Sequence, residues 1–209
     1  MVRQPLAGLA GVGFAVVIVA INAVLVPAGF PLTGAPRAEV AEFFAGHADL
    51  VRAASAAAPA AWFLSTMFAA GALAALWGTG PMWALAGFAG VMLQNLTFTG
   101  VTATRLALTS VPEPGLWALH DALFVFNGAF LALAMVGLSI SGLRAGLIRR
   151  WHAAIGLVAA ALQFASATLS PLVIGDPGPV GLLGLAGWLI WVVWIAAYGI
   201  ALRGNTGSA

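Results

Sequence analysis

The stretch LAGLAGVGFAVVIVAINAVLVPAGF, residues 6–30, decides the fold class. Asn22 is its only polar side chain, and a helix of this length rises about 37 Å at ~1.5 Å per residue, more than a hydrocarbon core of about 30 Å. The apolar region of a cleaved leader runs only about 7–15 residues. The expectation is therefore a retained transmembrane span.

Five further apolar stretches of similar length follow at residues 51–77, 82–110, 116–140, 151–174 and 180–202. Clusters of proline, glycine and polar residues separate them at 31–36, 78–81, 112–115, 141–150 and 175–179. Connections this short join antiparallel neighbours. The expected fold is all-α: a polytopic membrane protein with one compact bundle of six transmembrane helices over residues 1–203. A disordered tail is expected at 204–209.

Composition supports the same reading. The chain has 209 residues, 62% of them hydrophobic, with 8 basic and 6 acidic side chains, 7% charged. Soluble domains carry about 25% charged residues, so a water-facing globule is excluded. The net charge of +2 is too small for a nucleic-acid footprint. With no cysteine, disulfides, thiolate metal sites and thiol redox chemistry are excluded. With no lysine, so are a Schiff base and a nucleotide-binding P-loop.

Six spans put both termini on one side with the second and fourth connections. That side holds Arg3, Arg144, Arg149, Arg150 and Arg203 and no acid. The other holds Glu39, Glu42, Asp49, Glu113 and Asp176, with Arg37 and Arg52. The positive-inside rule then places both termini in the cytoplasm. Between residues 37 and 50 the spacing of Val40, Phe43, Phe44 and Leu50 predicts an amphipathic helix. It either lies on the outer surface or leads straight into the second span. His47 falls on its apolar side, where packing is the expected role. Pro59 predicts a kink in the second span.

Intramembrane polar residues are costly and so mark functional candidates. Arg105 and Asp121 each stand eight residues from Glu113, at the turn between the third and fourth spans. An antiparallel hairpin brings them to one level near the outer face, and an Arg105–Asp121 ion pair is expected. A pair of this kind can also serve only to neutralise two charges and set helix register. His120 adjoins Asp121, and Asn127, seven positions on, shares its face. Gln94, Asn127 and Gln163 each lie roughly 15–18 Å from their own boundary, so three amides are expected to meet near the midplane. They would hold a polar solute or join helices by hydrogen bonds. No histidine–carboxylate cluster resembles a metal site, bis-histidine haem ligation would need His47 to face His120 at one depth and is set aside, and no cofactor is expected.

Trp188, Trp191 and Trp194 form a stripe on the last span, read as packing or as a wall for an apolar ligand. Glycines at 8, 11, 87, 90, 181, 184 and 187 read as close helix contacts, since no strand–turn–helix unit surrounds them. The two halves of the chain show no internal repeat, which argues against an inverted-repeat transporter.

The segments AEVAEFFAGHAD (residues 38–49), LWALHD (116–121) and GLIRRW (146–151) resemble a family of uncharacterised, mainly actinobacterial integral membrane proteins with six spans. The resemblance implies a six-helix architecture and a bacterial plasma membrane. It transfers no catalytic residue.

Three classes of function remain. The first is a bundle that binds or moves a small molecule or lipid through an outer-half pocket. Its lining would be Arg105, Thr102, Gln94, Asn127 and Gln163 with His120 and Asp121. The second is an intramembrane enzyme acting on a lipid or isoprenoid, with Asp121 or His120 handling the proton. The third is a structural or accessory subunit of a membrane complex. The expected partners are membrane lipids and a small hydrophobic or amphipathic ligand, with no nucleic acid. Oligomeric state is not legible.

Overall fold

The computed structural model describes residues 4–111, 113–172 and 178–204. It contains α1 (Pro5–Leu25), α2 (Arg37–Gly46), α3 (Ala48–Ala56), α4 (Ala58–Leu76), α5 (Pro81–Leu108), α6 (Pro114–Arg144), α7 (Arg150–Leu169) and α8 (Gly178–Arg203). A 3₁₀ turn, Ser170–Leu172, extends α7, and no strand occurs among the described residues. The expected tail, Arg3 and Asp176 lie outside the described residues or, for Gly204, at their edge.

Six helical segments are long and apolar enough to cross a membrane: α1, α3 joined to α4, α5, α6, α7 with its turn, and α8. The chain is a six-span, all-helical membrane protein. Proline stands in the first turn of α1, α4, α5 and α6, where its missing N–H costs no helical hydrogen bond. The first span ends at Leu25, five residues earlier than expected, because residues 26–29 turn and Gly29 takes a φ of +85°. Pro59 makes its effect felt as a helix break at Ala57, between α3 and α4. The 37–50 segment divides at His47. Its first half, α2, is a separate helix, and its second half, α3, runs into the second span. His47 packs as expected, its ring stacked on Phe43 at 4.7 Å.

The six spans form a closed ring in which each packs on its sequence neighbours and α8 returns to α1. The ring closes at the chain ends, where the Gln4 backbone N–H donates to the Leu202 carbonyl at 3.2 Å. Both described ends therefore lie at one face, the terminal face. The other, carrying α2 and the α5–α6 turn, is the loop face. Small residues let the ring close. A Cβ on Gly199 would lie 2.6 Å from the Gly8 carbonyl oxygen, and one on Gly137 would lie 2.6 Å from that of Trp83. Inside the ring, Tyr198 of α8 meets Phe68 of α4 edge-on at 5.7 Å and donates to the Leu138 carbonyl of α6 at 3.0 Å. The ring's outside carries Phe63, Leu96, Phe126, Phe164 and Val193, each more than half exposed. An apolar perimeter of this kind belongs in lipid.

Charge segregates between the faces among the described residues. Arg144, Arg149, Arg150 and Arg203 fall at the terminal face with no acid. Arg37, Glu39, Glu42, Asp49, Arg52 and Glu113 fall at the loop face. There, Arg52 pairs with Asp49 at 3.0 Å and donates through Nη2 to the Thr109 carbonyl at 3.2 Å, fastening α3 to the end of α5.

Candidate functional site

Arg105 lies one turn inside the loop-face end of α5, and His120 and Asp121 lie about two turns inside the start of α6. The hairpin brings the three to one level, as the spacing predicts. The direct Arg105–Asp121 ion pair does not form. His120 stands between them: Arg105 Nε–H donates to His120 Nε2 at 3.0 Å, and His120 Nδ1 bonds Asp121 Oδ1 at 3.1 Å. Adjacent positions on a helix point about 100° apart, so His120 turns toward α5 and Asp121 toward the α1–α2 loop. There Asp121 Oδ2 accepts the Gly34 backbone N–H at 2.9 Å.

The hydrogen-bond network assigns His120 its tautomer. Nε2 accepts from a guanidinium that has only donors, so the proton sits on Nδ1 and faces the carboxylate. A cation, a neutral ring and an anion thus form one chain with no net charge. His120 and Asp121 are buried and Arg105 is partly exposed.

Aromatic rings enclose this chain. Trp117, His120 and Phe124 occupy one face of α6, and the His120 ring stacks on Trp117 at 4.4 Å and on Phe124 at 6.1 Å. Residues three and four apart on a helix are neighbours, which makes such a stack possible. The Arg105 guanidinium carbon lies 4.5 Å over the Phe30 ring and 6.0 Å from that of Phe98, in cation–π range. Phe30 also packs edge-on against Phe43 of α2 at 5.4 Å. The loop is thus held by aromatic contacts and by the Asp121–Gly34 bond. Gly34 takes a φ of +80°, a left-handed conformation natural to glycine.

Arg105 carries five N–H donors. Its Nε–H is engaged by His120, and among the described residues no acceptor pairs with either Nη group. The guanidinium is held in place by one edge and two rings while its Nη edge remains available.

The remaining predicted residues divide differently. Thr102, partly exposed on α5, forms no hydrogen bond to the other three among the described residues. The three amides do not make a shared layer of hydrogen bonds. Gln163 Nε2 donates across to the Gly184 carbonyl of α8 at 3.0 Å, joining two helices. Asn127 Oδ1 is buried without a partner, and Gln94 is buried without bonding either of the others. Asn95, not Gln94, joins α5 to α4: it accepts from Ser65 Oγ at 2.8 Å and donates to Thr66 Oγ1 at 3.1 Å. Trp191 and Trp194 of the tryptophan stripe are buried in the core, as packing predicts.

Sequence reading missed Phe30 and Gly34, which complete the site from the α1–α2 loop. The phenylalanine at the end of a span was a usable signal. Nothing in the sequence links Gly34 to a carboxylate 87 residues away. An open groove of about 280 Å³ adjoins the site at the loop face, walled by Arg37, Val40, Phe44, Leu108, Glu113 and Trp117. It reaches none of Arg105, His120 or Asp121, but it shares the Trp117 ring that stacks on His120. No cluster of three or more metal-ligating side chains occurs among the described residues.

Compared with known proteins, the chain matches no family model, no curated protein and no solved structure. The functional reading therefore rests on the site itself.

Proposed function

We propose that the protein binds the anionic head of an amphipathic molecule, a lipid or small apolar-tailed acid, through Arg105 in the outer half of the bundle. The observation that carries this is the immobilised guanidinium whose Nη edge is unengaged. A planar pair of N–H donors matches a carboxylate or phosphate, and the flanking Phe30 and Phe98 rings suit the first carbons of a tail. Asp121, acting through His120, orients the guanidinium and balances its charge in the membrane.

The test is native mass spectrometry of the intact protein released from bilayer discs of phosphatidylglycerol and phosphatidylcholine. Preferential retention of phosphatidylglycerol, lost in Arg105→Gln and partly kept in Arg105→Lys, supports the reading. Equal retention in wild type and Arg105→Gln overturns it.

A second reading, the intramembrane acid/base enzyme, is favoured by the hydrogen-bonded Asp121–His120 dyad. It ranks lower because Arg105 occupies Nε2, the nitrogen that would take a substrate proton. We also propose that the termini face the cytoplasm of a bacterial cell, a sidedness that the arginines of the terminal face support. Because the chain has no cysteine, single cysteines introduced at positions 37 and 149 report sidedness directly. Labelling of position 37 alone by an impermeant maleimide on whole cells is the expected outcome.

A further inference from the structure

We infer that the loop-face groove between α2 and the start of α6 holds the headgroup of a zwitterionic phospholipid, with its ammonium at Glu113 and its phosphate at Arg37. This site is separate from Arg105 and does not rest on the function proposed for it.

Three observations carry the inference. Arg37 and Glu113 line one groove, yet among the described residues they form no ion pair with each other or with a third side chain. An unpaired cation and an unpaired anion lining one groove complement a ligand that carries both charges. The walls between them, Val40, Phe44, Leu108 and Trp117, are apolar, as glycerol and the first methylenes of acyl chains require. Trp117 is also buried with an indole N–H that has no acceptor among the described residues. Buried indole N–H groups usually find a partner, and a small shift of the ring toward the groove would bring this one to a headgroup oxygen.

Size and position select among occupants. A volume of about 280 Å³ lies just below the range of small-molecule pockets, roughly 300–1,000 Å³, room for a headgroup and not for a folded partner. Helix α2 adjoins spans whose perimeter is apolar, so the groove opens at the level where lipid headgroups lie. A purely anionic headgroup would face Glu113 without a counter-charge. A purely apolar chain would leave both charges unused.

The test uses the full chain in bilayer discs of equal phosphatidylethanolamine and phosphatidylglycerol, with retained lipids counted by native mass spectrometry. Arg37→Gln and Glu113→Gln should each lower phosphatidylethanolamine retention about two- to five-fold, the scale of one exposed ion pair. Glu113→Lys should turn the preference toward phosphatidylglycerol. Arg105→Gln should still abolish the Arg105-dependent retention of phosphatidylglycerol when combined with Glu113→Gln, so failure here and failure at Arg105 are read separately. Both substituted residues are exposed, and an unchanged melting temperature verifies folding. Retention insensitive to both glutamine variants overturns the inference. So does a Glu113→Lys variant with wild-type preference, or capture of a second copy of the chain at this face in place of lipid.

Discussion

Two histidines are buried among aromatic rings in this bundle, and they are held in opposite ways. His152 of α7, near the terminal face, donates from Nε2 to the Trp194 carbonyl at 3.0 Å, while Trp194 Nε1 donates to Ser139 Oγ at 3.2 Å. Every partner in that chain is neutral, and the result is three helices joined inside a packed core. His120, at the loop face, carries its proton on the other nitrogen and links a guanidinium to a carboxylate. Both rings are equally inaccessible, at 2% and 3% exposure for His120 and His152. Burial therefore does not tell the two histidines apart. The difference lies in what surrounds the ring: charges with an unengaged edge in one case, closed neutral bonds in the other.

The sharpest way to break this comparison is to remove the anion. Asp121→Asn takes away the carboxylate that balances Arg105 through His120 and weakens two hydrogen bonds to a charged group, from His120 and from Gly34, each worth about 1.5–3 kcal/mol. A large fall in thermal stability in detergent is expected. The double variant Arg105→Gln/Asp121→Asn should recover part of that loss, because no lone charge remains. Strict additivity of the two single losses would show that Arg105 and Asp121 are not coupled through His120.

The second way is to treat the two histidines alike. Phenylalanine keeps the stacking of either ring and removes its hydrogen bonds. His120→Phe should cost about 1.5–3 kcal/mol, the range for bonds to charged groups, and His152→Phe about 0.5–1.5 kcal/mol, the range for neutral ones. His120→Phe should also loosen Arg105 and lower retention of an anionic headgroup, which His152→Phe leaves unchanged. Equal losses from the two substitutions would remove the distinction.

The six spans were legible because their signal is redundant: each carries some twenty apolar residues, and proline or glycine marks most ends. The level of Arg105 and Asp121 was legible too, since helical rise converts spacing from Glu113 into depth. What could not be read was rotation about each helix axis. Adjacent residues differ by about 100° in direction, and that angle decided that His120, not Asp121, meets Arg105. The same uncertainty hid that Asn95, beside Gln94 in the chain, is the amide of α5 that bonds α4. Gly34 was illegible for another reason. Its role depends on a loop folding back onto α6, and no periodicity encodes such a contact.

The smallest expected effect concerns that loop. Gly34→Ala keeps the backbone N–H that Asp121 accepts but places a side chain at a φ of +80°. The left-handed conformation costs an alanine about 1–2 kcal/mol, and the loop can relieve it by letting go of Asp121. Relief stays local, because residues 31–36 form no part of the six-helix ring. The global melting temperature should therefore move little while hydrogen exchange across 30–36 quickens, with no change near His152. Phe30 leaves Arg105 when the loop opens, so the guanidinium loses one of its two flanking rings and anionic headgroup retention falls. If exchange at 30–36 quickens while retention holds, Phe30 is not needed to fix the guanidinium, and the contrast with His152 then rests on the charges alone.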